Sequence, residues 1–122
     1  MTKEGSSLVE TVTLWRPTGP EELRLVEESE WKAWPPRLPE QPIFYPVTTE
    51  EYAIKIARDW NVPSSGSGFV TRFEVRKDFL ELYEPQLAGG KAHEEYWIPA
   101  EDLADFNAAI VGTIEVTQRF PE

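Results

Sequence analysis

Apolar and polar positions alternate from Glu10 to Arg16: Val12 and Leu14 share one face, and Thr11, Thr13 and Trp15 share the other. Period-two alternation of this kind predicts a strand. Pro17 and Gly19 end it, and the pattern then changes to helical. Thr18 stands three residues before Glu21 with Pro20 in the first turn, which predicts a capped helix to about Ser29 with Leu23, Leu25 and Val26 inward. Trp31 to Trp34 reads as a short strand. Four prolines between Pro35 and Pro42 forbid helix interior or central strand, so that stretch is a stiff surface connection. Ile43-Phe44-Tyr45 reads as a short buried strand.

The clearest helical period runs from Glu50 to about Trp60, with Tyr52, Ala53, Ile56, Ala57 and Trp60 on one face. Thr48 or Thr49 caps it, and Glu50 and Glu51 suit the positive end of its dipole. Asn61-Val62-Pro63 stops it before the flexible tip Ser64 to Gly68. Phe69 to Arg76 is the best strand, with Phe69, Thr71, Phe73 and Val75 on one face. Asp78 caps a short turn through Phe79, Leu80 and Leu82, and Ala88 to Lys91 is a turn. Ala92 to Pro99 then reads as a short strand stopped by proline. A helix follows with Leu103, Phe106 and Ile110 buried, ended by Gly112, and Thr113 to Phe120 is a last strand. Irregular alternation of strands and helices favours a compact α+β domain with a mixed or antiparallel sheet and two or three helices.

At 122 residues the chain is long enough for one domain that buries roughly two-thirds of its unfolded surface. Residues 9–122 form that domain and residues 1–8 a flexible start. Cysteine is absent, which excludes disulfides, thiol catalysis and cysteine–zinc sites. No apolar run is long enough to span a membrane, and the polar start lacks a leader's apolar core. Both fit a cytoplasmic protein. Twenty-two acidic residues against twelve basic give a net charge of −10, which opposes non-specific nucleic-acid binding. Solubility is the simplest use of that charge; a basic partner protein is another.

Few residues are candidates for chemistry. Ser64 to Gly68 lacks the Lys-Ser/Thr ending of a phosphate-binding loop. His93 is the single histidine, and no Gly-x-Ser-x-Gly elbow exists for it to serve. One imidazole also makes a poor basis for a metal site. Alternation puts His93, Glu95 and Trp97 on one strand face, so Glu95 sits between an imidazole and an indole. Such a setting can raise a carboxyl pKa by desolvation or hold it ionised through a hydrogen bond. A solvated glutamate on an edge strand is the plainer reading.

Three segments, TLWRPTG, FYPVTTEEYA and HEEYWIP, together resemble the ADP-ribosyltransferase fold. The whole chain also resembles small bacterial proteins labelled ADP-ribosylation/crystallin J1. That label belongs to large helical hydrolases with Asp-rich magnesium sites, which this chain matches neither in length nor in motif. The transferase resemblance implies a fold in which Arg16 closes the first strand and anchors NAD, the substrate. Tyr45, Thr48 and Tyr52 occupy its second element, which leads into the helix over nicotinamide, with Tyr45 and Tyr52 lining the pocket. Glu95, followed by three apolar residues and Pro99, takes the catalytic position, and His93 lies beside it against the cofactor. Arginine-modifying members carry glutamate where this chain has His93, so the resemblance does not extend to that acceptor. No metal is implied, and the acceptor is a protein, a nucleic acid or water. From the residues alone, Arg16 is equally an ion-pair partner, while Tyr52 as a helix core residue and Thr48 or Thr49 as a plain cap are the plainer readings. A non-catalytic acidic interaction module, either a degenerate transferase or an immunity-like partner, is the rival reading.

Overall fold

The computed structural model describes residues 10–37, 42–87 and 94–121. The expected flexible start, the middle of the proline-rich connection, the turn at Ala88 to Lys91 and His93 lie outside them. The described chain is an α+β domain whose strands all pair antiparallel. Its central sheet has β3 (Gly68–Arg76) flanked by β1 (Thr11–Thr18) and β7 (Ile110–Phe120). Two short ribbons complete it: β2 (Ile43–Phe44) with β6 (Ile98–Pro99), and β4 (Gln86–Leu87) with β5 (Glu94–Glu95).

The helical runs among the described residues exceed the expected two or three by one single turn. They are α1 (Pro20–Glu28), a continuous run through Ser65, α4 (Lys77–Leu80), and a 3₁₀ turn Ala100–Asp102 leading into α5 (Leu103–Ala108). The second run joins α2 (Glu50–Ile56), a π-helical turn Ala57–Asn61 and α3 (Val62–Ser65). Among the described residues no helix is long and apolar enough to cross a membrane.

The alternation read in β1 and β3 separates two cores. Leu14, Phe73 and Val75 face the larger one, with Val26, Trp34, Phe44, Ile98, Leu103 and Phe106. Its centre is a set of edge-on and tilted rings: Trp34–Phe44 at 5.4 Å, Trp34–Phe73 at 5.3 Å and Phe44–Phe106 at 5.2 Å. Each such pair adds about 0.5–1.5 kcal/mol beyond its buried area. The smaller core holds Val47, Ala53, Ala57 and Val70, with Trp15 and Tyr52 packed against it.

Several local expectations give way to tertiary demands. Thr18 does not cap α1; it is the buried last residue of β1, paired with Phe69, and Gly19 takes the cap position. Trp31 to Trp34 is not a strand, because Glu30 and Trp31 adopt positive φ of 66° and 65°. The Ser29 hydroxyl oxygen stabilises that reversal by accepting the Lys32 and Ala33 N–H groups. The helix from Glu50 passes through Pro63, which is tolerated in the first turn of α3, and ends at Gly66 with φ 88°. Asp78 lies inside α4 with Arg76 at its cap. Leu82, read as part of that turn, lies past its end at Leu80 and is exposed. Gly112 does not end a helix: with φ 81° it lies inside β7, where the register to β3 shifts.

Candidate functional site

The stretch read as one strand before Pro99 divides in two. Its first part, β5, joins the central sheet through Val47. That residue exchanges backbone hydrogen bonds with Trp15 at 2.9 and 2.8 Å and bridges to Glu95 on its other side. Thr48 N–H donates to the Glu94 carbonyl and Tyr96 N–H to the Pro46 carbonyl. Its second part, β6, pairs instead with β2. A single residue of chain thus stitches the Glu95 strand to the Arg16 strand, and it brings together residues far apart in sequence.

The result is a cleft of about 790 Å³ whose lining includes Arg16, Tyr45, Tyr52 and Glu95. Four of the five residues singled out in the sequence therefore share one wall system; the fifth, His93, lies outside the described residues. Thr49, the alternative reading for the second element, is the cap of α2: its hydroxyl accepts the Tyr52 N–H at 3.2 Å.

Glu95 is half-buried and holds two donors. Its Oε1 accepts the Tyr52 hydroxyl at 3.3 Å and its Oε2 accepts the Trp97 indole N–H at 2.7 Å. Alternation had put Glu95 and Trp97 on one face, and they are. The Tyr52 hydroxyl is shifted to higher pKa, first by burial and then by the Glu95 charge and hydrogen bond, so it stays a donor at neutral pH. Trp97 also meets Tyr45 edge-on at 6.3 Å.

Arg16 is the ion-pair partner that the residues alone allowed. Its Nε and Nη2 donate to the two Glu22 oxygens at 2.7 and 3.0 Å, a bidentate pair between β1 and α1. Its Nη1 reaches the Tyr45 carbonyl at 3.4 Å. The guanidinium lies 4.5 Å from the Phe44 ring and 5.7 Å from Trp34, and its side chain is only 11% exposed. It forms part of the floor of the cleft.

Arg37, Trp60 and Asn61 also line the cleft, and the sequence marked none of them as a site residue. Arg37 sits in the proline-rich connection, where nothing local marks it. Its guanidinium is 5.8 Å from Phe44, and its pKa is lowered, chiefly by burial and next by the Arg16 charge. Two guanidiniums thus share one phenyl ring. Trp60 was expected on the buried face of its helix but is 69% exposed. The Asn61 Oδ1 is buried with no hydrogen-bond partner. Among the described residues no group of three or more acids or histidines converges as metal ligands.

The cleft offers a carboxylate aligned by two donors, guanidiniums against aromatic rings, and several aromatic edges and faces. Such a set is equipped to bind a molecule with anionic, hydroxyl and planar aromatic parts. Comparisons with protein-family models, with curated proteins and with solved structures find no match for the chain.

Proposed function

We propose that this domain binds NAD in the Arg16–Glu95 cleft and transfers its ADP-ribose, with Glu95 as the catalytic carboxylate. The observation that carries the reading is the convergence of Arg16, Tyr45, Tyr52 and Glu95, from separate elements, on one cleft of about 790 Å³. That size lies within the usual range for small-molecule and cofactor sites. Arg16 and Arg37 supply planar donors for the pyrophosphate, and an incoming phosphate exchanges with Glu22 for the Arg16 N–H groups. Tyr45 and Tyr52 face the nicotinamide.

In the transfer, the bond between nicotinamide and ribose breaks and nicotinamide leaves with the bonding electrons. Positive charge develops on the ribose, and the acceptor attacks and releases its proton to solvent. A carboxylate already fixed by two hydrogen bonds stabilises that charge without reorganising. Tyr52 and Trp97 are therefore positioning residues for Glu95.

Titration of the purified chain with NAD, followed by measurement of nicotinamide release, tests this. The expected result is saturable binding by wild type and Glu95→Gln alike, with release lowered by about 10²–10³-fold in the variant. Failure of the wild type to bind or turn over NAD ends the reading. Binding without turnover supports the second reading, a degenerate, non-catalytic module. That reading is favoured by one observation, the bidentate engagement of Arg16 by Glu22.

A further inference from the structure

We propose that Trp60 is an aromatic platform that stacks on a planar heteroaromatic ring of the ligand in this cleft. The inference rests on the reading that the cleft takes NAD, and it adds a ligand-contacting residue that the resemblance does not supply.

Trp60 lies three residues after the buried Ala57 and seven after the buried Ala53. In an unbroken α-helix that spacing returns it to the buried face. It is instead 69% exposed and lines the cleft. The cause is the π-helical turn Ala57–Asn61, whose wider winding carries Trp60 off the stripe.

The turn is built in by its neighbour. A Cβ at Gly68 would stand 2.5 Å from the Ala57 carbonyl oxygen and 2.9 Å from Asn61 Cβ. The π turn can seat on β3 only because residue 68 has no side chain. Helical turns of this width are rare and recur at functional sites.

The position of the exposed rings adds a second, independent observation. Among the described residues, five large apolar side chains are exposed: Tyr45, Trp60, Leu82, Trp97 and Val111. All three aromatic ones line this cleft. Scattered exposed apolar residues mean little, whereas a cluster of rings around one opening marks a surface for a flat ligand group. Both nicotinamide and adenine present such a ring; the shared chemistry is a planar face for an indole.

Indole N–H resonances give a direct test, since the chain has five tryptophans. Loss of one signal in Trp60→Phe assigns Trp60, and the full chain is then titrated with NAD, nicotinamide mononucleotide and AMP. The Trp60 signal should move saturably with NAD. The mononucleotide that reproduces the shift identifies which ring is stacked. Trp60→Ala should weaken NAD binding about tenfold, and Trp60→Phe should restore most of it. Thermal melting of both variants should match wild type, because the side chain is already exposed. If NAD binds, the Trp60 signal stays still and Trp60→Ala binds like wild type, the platform is overturned while the cleft reading stands. If wild type binds no NAD, the cleft reading fails and the platform falls with it.

Discussion

The Trp97 indole N–H donates to Glu95 Oε2 at 2.7 Å, across two residues of one chain segment that breaks between β5 and β6. Because Trp97 is 49% exposed, this bond contributes little to burial. Its effect is to fix one carboxylate oxygen while Tyr52 fixes the other at 3.3 Å. A glutamate left to itself samples several rotamers, and holding it in one costs conformational freedom. Two donors from different elements supply that restraint.

Trp97→Phe keeps the ring and its edge-on contact with Tyr45 but removes the donor. The expected outcome is a fall of about tenfold in kcat for nicotinamide release with KM nearly unchanged, the signature of a group acting on the transition state. Stability should change by less than about 0.5 kcal/mol, as for other surface positions. Steady-state kinetics beside a thermal melt separates the two. An unchanged kcat would remove Trp97 from the positioning role.

Gly68→Ala tests the seating of the π turn. Its Cβ meets backbone oxygen at 2.5 Å, and backbone in a packed turn cannot yield cheaply. Destabilisation of about 2–3 kcal/mol is expected. Gly66→Ala is the control: nothing lies within 4 Å of its added Cβ, so only its φ of 88° opposes the change, at a cost of about 1 kcal/mol. Urea unfolding midpoints should fall in that order. The Gly68 variant should also shift Trp60 fluorescence.

Strands β1 and β3 were legible because each face of them carries a consistent period of two. The same rule paired Glu95 with Trp97. The start of α2 was legible too, since a threonine cap precedes two acids and an apolar stripe. Trp60 was misread because helical spacing assumes uniform winding, and the cause of the π turn lies in β3, at Gly68. Ile110 and Gly112 fitted a helix stripe and its stop. They belong to β7 because β3 supplies a pairing partner that local pattern does not reveal: Ile110 pairs with Val75 and Gly112 takes up a register shift. The cleft itself depends on Val47 bridging Trp15 and Glu95, a contact between three distant segments. Arg37 had no signal beyond its neighbouring prolines.

Tyr83 donates to Asp102 Oδ2 at 2.7 Å, and its phenol is pushed up to about 12 by burial, then by the Asp102 hydrogen bond and the charges of Asp102 and Asp105. An unfolded tyrosine ionises near 10. Between those values the folded state holds the proton more tightly, so stability falls as pH rises through that window; below it the contribution is fully present. Tyr83→Phe should be less stable than wild type at neutral pH and should lose less stability between about pH 10 and 12. Tyr52 and Tyr96 are also raised, so the slope should shrink without vanishing. Unfolding midpoints across that range, with phenolate absorbance followed in parallel, check it; equal slopes would contradict the assignment.

Asn107 ties the floor of the cleft to α5. Its Oδ1 accepts the Trp34 N–H at 2.9 Å and its Nδ2 donates to the Trp34 carbonyl at 3.0 Å, so one amide satisfies both backbone groups of a buried tryptophan. Trp34 packs on Phe44, and Phe44 carries the Arg16 guanidinium. Asn107→Ala should cost about 2–4 kcal/mol, because it leaves two half-buried backbone groups without partners. Asn107→Asp keeps the acceptor but turns the donor into a second acceptor facing the Trp34 carbonyl. Its deficit should be largest at neutral pH, should narrow as pH falls toward about 4, and should level off below that, where the protonated carboxyl has regained an O–H donor. The sign follows from linkage: opposing lone pairs raise the folded-state pKa of that aspartate, so the stability it recovers is present at low pH and is lost as pH rises. Urea unfolding of the Asp variant against wild type at several pH values measures this directly. A deficit independent of pH would mean that the amide pairing does not hold Trp34, and that the Phe44–Arg16 stack is fixed by ring packing alone.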